Sequence, residues 1–351
     1  MKAGITGLPY SGKTTLFCAL TGQDYTKLSH GKDIHVGTVK VPDARLDKLY
    51  EIFTPKKKTN ATMEYFDLAG QSSDKKKGME PQALQTMKNA NALIVVLDGF
   101  NADTDPRQDF DTILEDLALN DLIVVSNRIE RLGKEMRSGS SPQQVHEKSL
   151  LEKCRDALEN GESLKKMELG KDDEKLLRGF QFLTLKPILI VVNISEAELT
   201  AGRAEDIEKP FADIEDTVCA AICAEIEMEI IALEEEKDRE EFLESMGIKE
   251  PAISRLIRLS YESLGLISFF TAFGPDEARA WTVRKGSNAA ECAGVIHSDL
   301  ERGFIRAETI AYDDFIEAGS SKVAREKGLF RIEGRDYIVK DGDILTIRFN
   351  V

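Results

Sequence analysis

The chain has 351 residues, 42% hydrophobic and 31% charged, which is enough apolar content for two or three buried cores and argues against a mainly disordered chain. Its formal net charge of −15 argues against non-specific coating of nucleic acid, and no apolar run reaches the length of a membrane span. The five cysteines, Cys18, Cys154, Cys219, Cys223 and Cys292, contain no C-x-x-C pair, so they read as reduced, packed residues of a cytoplasmic protein rather than a zinc site.

The segment "KAGIT" (2–6) predicts a short strand, and "GLPYSGKT" (7–14) follows it directly. A cleavable leader would have to remove this loop, so none is expected. A helix, "KTTLFCALTG" (13–22), comes next. The segments "GTVKVPD" (37–43) and "ATMEYFDLAG" (61–70) read as strands flanking the helix "ARLDKLYEIF" (44–53). Apolar runs bounded by turn residues, "NALIVVLDG" (91–99) and "KPILIVVN" (186–193), predict buried strands. Strands alternating with helices imply a largely parallel α/β sheet.

From 129 to 178 strand formers are few, and two amphipathic helices broken by "SGSSP" predict an inserted helical hairpin. Much of the excess acid lies in "AEIEMEIIALEEEKDREEFLES" (224–245), expected as one solvated helix. Beyond 266, short strands with glycine turns around one helix, "NAAECAGVIHSDLERG", predict a small α+β domain.

Chemistry concentrates first in Gly7-x4-Gly12-Lys13-Thr14. Glycines let backbone N–H groups turn toward phosphate oxygens, and the helix N-terminus adds a favourable dipole. Lys13 is placed to neutralise β- and γ-phosphate charge, and the Thr14 hydroxyl to ligate Mg²⁺. Pro9, Tyr10, Ser11 and Thr15 complete the expected nucleotide-binding segment. Asp67-Leu68-Ala69-Gly70 ends a strand, where the aspartate can hold Mg²⁺ through water and the Gly70 N–H can sense a γ-phosphate. At "VVNISE", Asn193 and Glu196 occupy a late strand end where GTPases carry Asn-Lys-x-Asp. With Ile194 and Glu196 in place of Lys and Asp, the guanine-reading pattern is lost and ATP is expected to be preferred over GTP.

These residues, with "VPDARLDKLYEIFTPKK", "CAEIEMEI", "RAWTVRKG", "AAECAGVIHSDLERGFIRAE" and "DGDILTIRFNV", resemble the Obg-like ATPase (YchF) family over almost the whole chain. The resemblance implies a P-loop GTPase-like nucleotide-binding domain over 1–128 and 179–266, a helical hairpin over 129–178, and a C-terminal TGS domain of ubiquitin-like β-grasp fold over 267–351. It also implies a base contact made largely by backbone at Ile194, slow Mg²⁺-dependent hydrolysis of ATP, and association with ribosomes in translation or stress. No membrane and no DNA partner is expected. Two other readings stay open: a GTP-binding GTPase, and a nucleotide-gated binding module with little turnover.

Three segments depart from the family pattern. The first switch, "GQDYTKLSHGKDIHVGTV", is short; the expected Thr-Ile falls near Gly31-Lys32, with Thr26, Ser29 and Thr38 as alternatives. The second switch, "QSSDKKKGMEPQAL", has lost most of the family's glycines. It opens on Gln71 where an apolar residue is usual, and an amide there can orient the attacking water. Elsewhere, the runs Lys56–Lys58 and Lys75–Lys77 read as solvated loops, His297 beside Asp299 as structural, and Trp281 as a core anchor. Arg279, Arg284 and Lys285 are the basic residues near the start of the C-terminal domain's sheet.

Overall fold

The computed structural model describes residues 1–28, 34–68, 81–215 and 217–350. In chain order, β1 (Lys2–Gly7) leads through the glycine loop into α1 (Lys13–Thr21). Then come β2 (His35–Lys40), α2 (Ala44–Phe53), β3 (Lys57–Thr59), β4 (Thr62–Asp67), α3 (Pro81–Asn89), β5 (Ala92–Asp98), α4 (Pro106–Glu135), α5 (Pro142–Glu159), α6 (Lys171–Arg178) and β6 (Ile188–Asn193). After them lie α7 (Glu196–Thr200), α8 (Ala204–Glu208), β7 (Thr217–Ile222), α9 (Ala224–Ala232), α10 (Glu236–Ser245) and α11 (Ala252–Ser263). The chain ends with β8 (Leu266–Thr271), β9 (Glu277–Arg284), α12 (Ala289–Ile296), α13 (Ser298–Arg302), β10 (Phe304–Ala311), α14 (Tyr312–Ala318), α15 (Ser321–Glu326), β11 (Arg331–Glu333) and β12 (Asp343–Phe349).

By packing, these elements form two units. One comprises Met1–Gly37 and Tyr65–Lys249, the other Thr38–Glu64 and Glu250–Val351. The chain passes from the first unit to the second within β2 and returns within β4.

The first sheet has the order β2-β4-β1-β5-β6-β7. Pairing from β1 through β7 is parallel, with Gly7 opposite Val96, Asp98 opposite Asn193, and Asn193 opposite Ile222. β5 and β6 are apolar and buried almost throughout, as strands covered on both faces must be. Their side chains build a core with Phe110, Leu117, Phe211 and Ile226. The same registers bring the carboxyl ends of β1, β5 and β6 together, the edge where open α/β sheets bind ligands.

The hairpin differs from the sequence expectation. Its first arm is the outer part of α4, a 30-residue helix capped by Asp105 with Pro106 in its first turn. Phe110, Ile113 and Leu117 face the sheet core, while Val125 and Leu132 join Leu150, Leu151, Cys154, Leu158 and Phe182 in a second core. One helix serves two environments, so the texture changes at residue 129 where the backbone does not. Where the hairpin closes, buried Asp121 accepts from the backbone N–H groups of Leu183 at 2.9 Å and Thr184 at 2.8 Å, and from the Thr184 hydroxyl at 2.8 Å.

The acidic stretch 224–245 is not one solvated helix but two. Its first half, α9, buries Ala224, Ile226, Glu227 and Ile230, and the Leu233 carbonyl that follows accepts from Arg239 Nε at 2.7 Å.

In the second unit the sheet order is β11-β10-β12-β8-β9-β3. α12 covers one face, with Phe269, Cys292, Phe304 and Leu345 in its core and Trp281 packed beside them. Trp281 Nε1 donates to Thr271 Oγ1 at 2.9 Å, and the Arg279 guanidinium lies 3.9 Å from the indole. The single helix expected there is α12 and α13, broken at His297, whose Nδ1 caps α13 by accepting from Asp299 N–H. α14 and α15 were not anticipated, nor was β3, which pairs parallel with β9. The triplet Lys56–Lys58 lies at β3, its three amines paired with Asp276, Glu277 and Asp47 respectively. The triplet Lys75–Lys77 is outside the described residues.

Candidate functional site

The glycine loop leaves the end of β1 and enters α1 with two glycines in positive φ. At Gly7, φ is +151° and a Cβ would stand 2.2 Å from the Val96 carbonyl oxygen. At Gly12, φ is +87° and a Cβ would stand 2.2 Å from Asn193 Nδ2. Side chains are therefore excluded by their neighbours as well as by the backbone. Between them Pro9 is half-buried, and Tyr10 takes a positive φ of 69° with its side chain 88% exposed. Ser11 is buried, and its hydroxyl has no hydrogen-bond partner.

Lys13 is buried beneath the loop, and its Nζ donates to the Leu8 carbonyl at 2.6 Å, folding the ammonium back over the loop. Burial pushes its pKa down to about 8, against the opposing pull of the Asp67 carboxylate. Thr14 Oγ1 donates to Asp67 Oδ2 at 2.8 Å, joining the start of α1 to the end of β4. Thr15, the next residue of α1, is half-buried.

Asp67 is fully buried, and its Oδ1 has no hydrogen-bond partner. Desolvation raises its pKa, while the Thr14 hydroxyl and the charges of His35 and Lys13 act in the other direction. A buried, under-coordinated carboxylate oxygen beside a threonine hydroxyl is a hard-oxygen donor set, and it fits Mg²⁺. Among the described residues no group of three His, Cys, Asp or Glu could hold a metal alone. A cation here would share its coordination with phosphate oxygens and water.

At the far strand end, Asn193 is buried and bonded on both sides. Its Nδ2 donates to the Ser11 carbonyl at 3.2 Å, and its Oδ1 accepts from Ala224 N–H at 3.1 Å. This one amide ties β6 to the glycine loop and to the start of α9. Ile194 is buried, and its N–H donates to the Ile222 carbonyl at 2.9 Å. The backbone group it can offer a base is therefore its carbonyl. Glu196 is exposed as the first residue of α7, whose N-cap is Ser195.

Lys13, Thr14, Asp67 and Asn193 thus converge around the loop, while Glu196 is separate from this hydrogen-bonded set. Gly70, Gln71, Ser29, Gly31 and Lys32 lie outside the described residues. Two contributors were missed. His35 places Nδ1 3.6 Å from Asp67 Oδ2 and its ring 6.2 Å from Phe17. No local motif marks it, because it follows the shortened switch. Ala224 was missed because its helix was read as solvated. Cys18, in α1, is buried, and desolvation raises its thiol to about 11, so it is an inert packed residue.

A sheet that is parallel from β1 through β7, with a glycine loop at the end of its first strand, a buried lysine, and a threonine–aspartate pair, defines a P-loop nucleotide-binding protein of the GTPase type. The comparisons agree. A profile described as a 50S ribosome-binding GTPase matches residues 2–128, and a YchF-GTPase C-terminal profile, described as a protein of unknown function, matches residues 266–350. The "Ribosome-binding ATPase YchF" of Haemophilus ducreyi is 40% identical, the alignment covering 100% of this chain and 99% of that one. The protein of the same name from Bacillus subtilis is 40% identical over 100% of both. The YchF GTPase of Schizosaccharomyces pombe superposes with a TM-score of 0.86 at 26% identity, covering 99% of this chain and 97% of that one. The chain belongs to the YchF family.

Proposed function

We propose that this protein is a Mg²⁺-dependent P-loop hydrolase that prefers ATP to GTP, turns over slowly and associates with ribosomes. The hydrolase reading rests above all on the Thr14–Asp67 pair beside buried Lys13. Lys13 exchanges its bond to the Leu8 carbonyl for β- and γ-phosphate oxygens, and the loop N–H groups orient the phosphate chain. Thr14 and Asp67 would hold the metal, directly and through water. When bound, it supplies charge neutralisation to the transferring phosphoryl group. Gly70 and Gln71 are proposed for the γ-phosphate side, with Gln71 orienting the attacking water.

ATP preference is supported by Ile194 and Glu196 in place of the guanine-reading Lys and Asp. A backbone carbonyl at Ile194 accepts from an adenine amino group and repels the guanine carbonyl oxygen. Binding and hydrolysis of ATP and GTP, measured side by side on purified protein, test the assignment. A clear GTP preference overturns it, and Ile194→Lys with Glu196→Asp is expected to move the preference toward GTP.

Ribosome association is supported by the names of the Haemophilus ducreyi and Bacillus subtilis relatives and is proposed through the hairpin at 129–178 and a TGS domain at 267–351. Cytoplasmic localisation follows from the same reading. Among the described residues no helix is long and apolar enough to cross a membrane. Co-sedimentation with ribosomes, with and without a non-hydrolysable ATP analogue, checks the partner. A nucleotide-gated binding module with little turnover is the second reading, favoured by the shortened first switch.

A further inference from the structure

α1 presents Thr14, Phe17 and Thr21 at the spacing of a single helix face. On β2, His35 and Gly37 are two residues apart and share a face of the strand. Gly37 is where the two elements crowd each other: a Cβ on it would stand 2.2 Å from Thr21 Cγ2. Gln23 Nε2 donates to the Val36 carbonyl at 3.0 Å and pins the strand lengthwise. With the register set in this way, the His35 ring comes to rest 6.2 Å from the ring of fully buried Phe17, and its Nδ1 lies 3.6 Å from Asp67 Oδ2. The His35 side chain is 10% exposed. A missing side chain at Gly37, a packed phenylalanine and a backbone anchor thus converge on one result, an imidazole set against the Asp67 carboxylate.

The two oxygens of that carboxylate are treated differently. Oδ2 accepts from the Thr14 hydroxyl at 2.8 Å and has the His35 nitrogen beside it. Oδ1 has no hydrogen-bond partner among the described residues. The torsion that turns an aspartate carboxylate is broad, so one hydroxyl on one oxygen leaves the group room to swing. A second polar group on the same oxygen narrows that motion. At 3.6 Å the His35 nitrogen is beyond hydrogen-bond length and acts as a dipole or charge beside Oδ2.

We propose that His35 is a positioning residue for the cation site: together with Thr14 it holds Asp67 by Oδ2, so that Oδ1 is the oxygen kept for the cation or its water. The role rests on the reading of Thr14 and Asp67 as the residues that hold Mg²⁺. Groups that orient a metal ligand without touching the metal contribute roughly 10–100-fold to metal affinity. His35 brings two things to its place, a nitrogen on Cγ and a ring that packs on Phe17, and substitution can separate them.

The test titrates the full-length protein with ATP calorimetrically, once in excess Mg²⁺ and once in EDTA, and takes the ratio of the two affinities as the Mg²⁺ effect. His35→Phe keeps a ring against Phe17 and has no nitrogen. His35→Asn loses the ring but carries an amide N–H on Cγ, in the place of Nδ1. His35→Phe is expected to lower the Mg²⁺ effect at least tenfold while leaving affinity in EDTA close to the parent's, and His35→Asn to retain most of the effect. Packing alone would give the reverse order, with the Mg²⁺ effect kept by His35→Phe and lost by His35→Asn, and that result overturns the proposal. Where His35→Phe melts far below the parent, His35→Leu, smaller and likewise without a nitrogen, takes its place with the same expectation. A parent whose affinity for ATP is indifferent to Mg²⁺ overturns the cation reading itself and the positioning role with it. A parent that responds to Mg²⁺ while the nitrogen-free variant responds equally overturns the positioning role alone.

Discussion

Thr14 and Asp67 stand 53 residues apart in sequence and share a hydrogen bond of 2.8 Å, the hydroxyl of the first joined to the buried carboxylate of the second. The pair couples the first turn of α1 to the last residue of β4. It is also where the protein carries a charge at a disadvantage. Burial raises the Asp67 pKa, so the ionised form is disfavoured in the nucleotide-free fold at any pH above its folded-state value, and the cost is relieved as pH falls through that value. Asp67→Asn keeps the shape and an acceptor for Thr14. The nucleotide-free variant is expected to melt higher than the parent at pH 7, while Mg²⁺-dependent turnover falls about a hundredfold or more, roughly 2.7 kcal/mol of barrier. Thermal melts without nucleotide, paired with a Mg²⁺ titration of hydrolysis, separate the two effects. An unchanged turnover would remove Asp67 from the metal site.

Lys13 titrates where it can be watched. With its folded-state pKa lowered by burial to about 8 from the ordinary lysine value of 10.5, the ammonium is disfavoured in the nucleotide-free protein. The unfolded chain then holds more protons between about pH 8 and 10.5, so this group makes stability rise with pH across that window. A bound triphosphate reverses the balance by favouring the charged form. Binding at pH 8.5 is expected to take up a proton, and much less at pH 7. Calorimetry in buffers of different ionisation enthalpy reads the uptake directly, and Lys13→Met should lose it together with most of the affinity.

The Asn193 side chain is bonded to both the glycine loop and α9. Asn193→Ala leaves the Ser11 carbonyl and the Ala224 N–H without that partner in a buried setting, at about 1–3 kcal/mol for each group left unsatisfied. Nucleotide affinity is expected to fall at least tenfold. Asn193→Asp keeps the acceptor for Ala224 and loses the donor to Ser11, so an intermediate loss is expected. Equal affinities for all three proteins would show that the loop holds its shape alone.

Tyr10 is a bulky residue in the left-handed region with its side chain almost wholly in solvent. That conformation costs about 1–2 kcal/mol for a residue with a Cβ. Tyr10→Gly gains that back less the extra backbone entropy of glycine, so the nucleotide-free variant should be stabilised by about 0.5–1 kcal/mol. Denaturant unfolding measures it. A destabilised variant would mean that the exposed ring makes stabilising contacts.

Asp121 is a test of the hairpin closure. Asp121→Ala strips the buried N–H groups of Leu183 and Thr184 of their acceptor. The expected loss is about 3 kcal/mol of stability, with nucleotide affinity little changed because neither group reaches the glycine loop. Parallel unfolding and binding measurements check both halves of the statement.

What was legible in the sequence was what is local. The turn from β1 through Gly7 and Gly12 into α1 is specified by consecutive residues, so it could be read from spacing. β5 and β6 declare themselves as apolar runs because both faces are covered. The failures share a different cause. α9 has glutamates at alternate positions and looks solvated, yet Ala224, Ile226 and Ile230 face the core, and its first N–H completes the Asn193 bridge. α4 looks like two objects because its apolar residues serve two cores. β3 is three residues of lysine and threonine and carries no strand signal of its own; its ladder is set by β9, more than two hundred residues away in the chain. His35 reaches Asp67 through the geometry of β2, which no periodicity encodes.

The path of the chain through β2 and β4 bears on how this protein can be cut. A fragment beginning at 250 or 266 looks like a self-contained C-terminal piece, but it lacks α2 and β3. Such a fragment bares the β9 edge that Lys57, Lys58 and Thr59 cover, a template for intermolecular strand addition. It also deprives Asp341 of Arg45. Expressed alone it should self-associate, and co-expression with a 38–64 peptide should return it to a monomer. The smallest foldable version of this half is therefore a split protein, made from two stretches of the gene rather than from its end.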